Sequence, residues 1–201
     1  MQQALFLLLS FFTLVGTAQT KLWTEDDRKF VHGNMDRTKM EMIAVTENLS
    51  PEQWHYKPDA DSWCIAQVVE HIGLYERLVY QEAMVANALP PRPELFQEQR
   101  SDEEYIAWMA ETNPHVAPEN AVPLGFMKAG DNLKFFKYGR DLILEYLKTT
   151  DKDLKAQFIP RNSEPNKMRS IHGLMIVHFG HTDRHLRQIE RIKASPQFPA
   201  K

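Results

Sequence analysis

The sequence predicts an all-α domain: a four-helix bundle with a long crossover between its second and third helices. Three observations carry this. Four long segments repeat apolar residues at steps of three and four, no segment alternates with the period of two expected of a half-buried strand, and six of the twelve prolines crowd into residues 90–123. With 201 residues, 43% hydrophobic and 25% charged, the composition is that of an ordinary globular chain.

The opening stretch is set apart from the bundle. Ala4 to Val15 has only Ser10 and Thr13 as polar members, too short for a membrane span of roughly 20 residues. The Gly16-Thr17-Ala18 that follows is the small-residue pattern cut by signal peptidases. Residues 1–18 are therefore expected to be a signal peptide and residues 19–201 the mature domain. The product is expected to be exported, periplasmic or secreted, with no membrane attachment after cleavage.

The first helix is expected over Thr24–Asn48, with Thr24 as its cap, three acidic residues in its first turn, and Phe30, Met40, Ile43 and Val45 on its apolar face. Ser50-Pro51-Glu52-Gln53 reads as a short capped turn pinned by Trp54 and Tyr56. The second helix is expected from near Cys64 to about Ala88, because Cys64-x-x-Gln67 stands where a capping box belongs and Pro90-Pro91 ends the pattern. Its stripe includes Val68, Ile72, Tyr75, Val79 and Val85. The crossover holds a short helix over Ser101–Glu111, whose Tyr105 and Trp108 could cover one end of the bundle. The third helix is expected from about Gly125 to Thr149, with Phe126, Leu133, Phe136, Ile143 and Leu147 in the stripe and Arg140 inside it as a snorkelling cation at the bundle end or an anion-binding residue. The fourth runs from about Met168 to Ala194, where Pro196 stops it.

Charge and cysteine usage exclude whole classes of function. A net charge of -3 without any run of five like charges gives no footprint for a nucleic acid. A single cysteine, Cys64, allows neither an internal disulfide nor a thiolate-rich metal site. Any metal would be held by histidines and carboxylates.

The chemistry concentrates on the fourth helix. Its inward stripe is Ile171, Leu174, Met175, His178, His181, His185, Ile189 and Ile192, so three imidazoles occupy places where apolar side chains are expected. Each costs about 1–3 kcal/mol to bury without partners, so the trio calls for a hydrogen-bond network or a metal. His181 and His185 are four residues apart, about 6 Å along the axis, and can converge on one ion. His178 and His185 are separated by about 10 Å along the axis, too far to share it, so a third ligand must come from another helix, where the second offers His71. His178 is then a candidate proton-handling catalytic residue one turn from His181, or a rim histidine bonded to a carbonyl. Gln188 and Gln67 can reach the imidazoles as second-layer partners or cap packed faces. His32, His55, His115 and His172 read as surface or loop residues. The zincin pattern is absent, because no glutamate lies between His181 and His185.

Two segments carry a family resemblance. Trp63-Cys64-Ile65-Ala66-Gln67-Val68-Val69-Glu70-His71-Ile72 and His181-x3-His185-Leu186-Arg187-Gln188-Ile189 resemble the signature segments of the DinB/YfiT-like family, and Leu49-Ser50-Pro51-Glu52-Gln53-Trp54 before Lys57-Pro58 also fits. The resemblance implies a four-helix bundle with a long crossover and a three-histidine site for one divalent metal ion, nickel or zinc, mapping to His71, His181 and His185. It also implies a small-molecule substrate and leaves a homodimer open. Some members resemble thiol S-transferases, in which the metal lowers the pKa of a bound thiol. The functions left standing are a metal-dependent enzyme activating water or a thiol, and a non-catalytic exported bundle for binding or structure. Hydrolysis by activated water suits an exported protein better than thiol transfer.

Overall fold

The structure, a computed structural model, describes residues 21–113, 116–161 and 164–200; the expected signal segment and His115 lie outside the described residues. The long helices are α1 (Glu25–Thr46), α3 (Ile65–Asn87), α5 (Ala129–Thr149) and α6 (Ile171–Lys193); the shorter α2 (Pro51–His55) and α4 (Asp102–Ala110) lie between them. α1 packs against α5 and α6, and α3 packs against the same two, closing a ring of four. Among the described residues no helix is long and apolar enough to cross a membrane.

Direction follows from the pairs that touch. Asn132 bonds to the Ala66 carbonyl, Arg140 to Glu76, and Tyr146 to Asn87, so α5 runs parallel to α3. Two successive parallel helices need a connection that travels back the whole length of the bundle, which is what the proline-rich crossover does. At its end the chain turns at Gly125, whose φ of 71° suits glycine because it has no Cβ. Glu70 on α3 fastens this turn by accepting from the backbone N–H groups of Leu124 and Gly125, at 2.9 and 3.0 Å.

The predicted ends are set by capping chemistry. Thr24 caps α1 with a reciprocal bond to Asp27, and Ser50 and Ser101 cap α2 and α4 in the same way through Gln53 and Glu104. Three sequence expectations need correction. The third long helix starts at Ala129 rather than Gly125, leaving Phe126 exposed ahead of it. The core face of α1 is Val31, Met35, Thr38, Met42 and Thr46; it was hidden by two threonines, which are tolerated because their hydroxyls donate back to helix carbonyls. Met40 and Val85, placed on apolar faces by period, are exposed.

The fourth long helix starts at Ile171 rather than at Met168, because Met168 lies in a small antiparallel hairpin, β1 (Phe158–Arg161) with β2 (Glu164–Ser170), that leads directly into α6. Its strands carry no clean alternation, and Pro160, which cannot donate to a ladder, sits beside a register shift.

The core has two apolar halves. Met35, Val79, Ile143 and Phe179 belong to one, and Met42, Ile72, Phe136 and Leu186 to the other. Between these levels each long helix contributes a buried polar side chain: Thr38, Glu76, Arg140 and Thr182.

Candidate metal centre

α3 and α6 face each other across a cleft of about 570 Å³ whose lining includes His71, Tyr75, His178, His181 and His185. His71 and His185 are buried, and His181 is the partly open member on the cleft side. One ring nitrogen from each of His71, His181 and His185 lies within 4.8 Å of the others. The Nε2 atoms of His181 and His185 are 3.0 Å apart, close to the roughly 3.3 Å between two nitrogens held at zinc-like bond lengths around a tetrahedral ion.

Two of the rings are oriented from behind. His71 donates Nδ1–H to the Ala121 carbonyl at 2.6 Å, and His185 donates Nδ1–H to Gln188 Oε1 at 2.8 Å, which leaves both Nε2 lone pairs facing inward. His181 Nδ1 is buried without a partner. Burial lowers the pKa of all three, and the neighbouring imidazoles lower those of His181 and His185 further. His185 is pushed down to about 3. The rings are therefore neutral at physiological pH, the form in which imidazole binds metal. This donor set fits a divalent ion. A second convergence, of Asp27, Asp102 and His172, is closed by its own bonds. Trp23 Nε1–H donates to His172 Nδ1, His172 Nε2–H meets Asp102, and Lys155 pairs with Asp27. His172 is thus a buried structural residue, not the surface residue the sequence suggested.

The remaining sequence candidates separate. Gln188 touches His185, whereas the Gln67 side-chain oxygen accepts from Cys64 N–H and so serves the cap of α3 rather than an imidazole. His178 lies on the cleft wall with Nε2 2.9 Å from Glu76 Oε2, an ion-pair distance without hydrogen-bond alignment, and with Nδ1 unpartnered.

Beneath His178 lies a group the sequence did not assemble. Arg140 is fully buried rather than snorkelling, and all five of its N–H donors are used. They reach both oxygens of Glu76, the Met35 carbonyl and the hydroxyls of Thr38 and Thr182, at 2.6–2.9 Å. Burial would raise the Glu76 carboxyl, but the charge of Arg140 and the neighbouring His178 ring outweigh it and hold the pKa at about 2. The guanidinium fits because α3 and α5 approach closely there: a Cβ on Gly139 would lie 2.5 Å from Glu76 Cβ.

The DinB superfamily profile matches residues 34–189, a span that includes all three histidines. The chain belongs to the DinB superfamily. A solved structure of YfiT from Bacillus subtilis, described as a probable metal-dependent hydrolase with an unusual four-helix bundle topology, is 11% identical with a TM-score of 0.55. The alignment covers 85% of this chain and 87% of YfiT, and it shows a shared fold. No curated protein matches the chain.

Proposed function

We propose that this DinB-superfamily protein is a metal-dependent hydrolase of small molecules, with one divalent ion, nickel or zinc, held by His71, His181 and His185. The observation that carries this reading is the convergence of three neutral imidazoles at a cleft with no fourth protein ligand among the described residues, since a bracing site is closed by its fourth ligand and a catalytic site keeps a position open. When bound, the ion would supply Lewis acidity toward a water or a substrate carbonyl. The Ala121 carbonyl and Gln188 keep two of the rings in the ligating tautomer. His178 is assigned the proton-handling role, because its Nδ1 has no other partner and its ring stands on the cleft wall against Glu76. Export, proposed from the leader-like first 18 residues, favours water over an intracellular thiol as the nucleophile.

Elemental analysis of the purified chain beside His181→Ala tests the centre: one equivalent of metal is expected in the parent and little in the variant. Equal stoichiometry in both would remove it. Panels of esters, amides and epoxides then test hydrolysis, with His178→Asn expected to retain metal but lose turnover.

A further inference from the structure

We propose that the substrate is an elongated amphiphile, with its reactive polar head at the three histidines and an apolar body lying between α3 and α6 toward Glu82. This rests on the metal-site reading above and specifies what the site takes. α3 presents His71, Tyr75, Leu78, Val79 and Glu82 to the same cleft, at helical steps that make them one face. From residue 71 to residue 82 this wall extends about 16 Å at 1.5 Å per residue. α6 runs antiparallel to it, with His178 against Glu76 and His181 and His185 against His71. It places Leu174 and Val177 opposite the far half of α3.

The lining changes character along this length. At the near end are the imidazoles. The middle is apolar, built from Leu78, Val79, Leu174 and Val177, and Trp108 and Met109 of α4 add further apolar lining to the cleft. The far end is charged again, where Glu82 and Arg169 both line the cleft. A substrate no larger than an amino acid would meet the histidines and leave this apolar stretch wet. A body that covers it gains affinity from every methylene it buries, and that remote binding energy can be applied to orienting the head. The volume of about 570 Å³ suits a ligand of drug-like size.

Hydroxamates, whose head chelates metal and whose tail can be lengthened, provide the test. The full chain, loaded with cobalt, is titrated with acetohydroxamate, butanohydroxamate, octanohydroxamate and dodecanohydroxamate, following the cobalt visible bands for the head and tryptophan fluorescence for the tail. Affinity is expected to tighten about three- to fourfold per added methylene up to octanohydroxamate. It should then level off in dodecanohydroxamate, whose tail must meet the charged end. Val177→Phe, which fills the middle of the cleft, and Leu78→Ser, which removes apolar lining, are each expected to reduce the gain per methylene. A response to acetohydroxamate with no dependence on tail length would overturn the substrate class and leave the metal centre standing. Cobalt bands that are absent, or that ignore every hydroxamate, would overturn the metal centre and this inference with it.

Discussion

Arg140 and His181 are both polar residues on core-facing stripes, one on α5 and one on α6, yet their surroundings are opposite. Arg140 has an acceptor for every donor, drawn from α1, α3 and α6. His181 has one ring nitrogen without any partner and the other 3.0 Å from a second imidazole nitrogen. A buried polar group left incomplete costs stability, so a fold keeps it only where something else completes it. The first cluster is finished by the protein itself; the second is left open for the ion proposed above.

The contrast can be broken most severely at Arg140. Arg140→Met leaves Glu76 buried without its counter-ion and is expected to cost about 3–5 kcal/mol in denaturant unfolding. The same measurement on metal-free His181→Ala should show a change of about 1 kcal/mol or less, since no protein hydrogen bond is lost beyond the contact between the two imidazoles. A comparable loss in both would erase the distinction.

Acid sharpens it next. The Glu76 pKa is about 2 in the fold against 4.5 for the free group, so its contribution is fully present above pH 4.5 and is lost as pH falls toward 2. This amounts to about 3 kcal/mol. Unfolding free energies between pH 6 and pH 3 should decline in the parent and decline less in Glu76→Gln; parallel curves would contradict the assignment.

The smallest effects separate the two glutamines. Gln188→Leu, which removes the acceptor behind His185, is expected to weaken metal affinity about 10–100-fold with little change in stability. Gln67→Leu should cost about 1 kcal/mol through the cap of α3 and leave metal affinity unchanged. Competition with a chelator of known affinity, alongside thermal unfolding, reads both.

How far these features were legible in the sequence depends on whether they follow from one helix or from several. Period and caps along single segments found the four long helices, and the spacing of His181 and His185 marked a pair able to converge. His71 could be nominated because it shares a face with Val68, Ile72 and Tyr75. The role of Arg140 could not be found this way, because its partners come from three other helices and their relative heights are not written in any one periodicity. The Ala121 carbonyl escaped for a related reason: a backbone group in an irregular segment has no residue-type signature. His172 resembled a surface residue because Trp23 and Asp102, which satisfy its two nitrogens, are far away in the chain. The hairpin before α6 lacked alternation altogether.

The shared direction of α3 and α5 has one more consequence. Because the chain must return along the bundle between them, its return path becomes the roof of the cavity, contributing Val116, Pro118 and Asn120 to the lining and the Ala121 carbonyl to His71. Ligand preference can therefore drift through insertions and exchanges in that strap while the four rods keep their register. One topological requirement gives this scaffold a replaceable ceiling over a fixed floor.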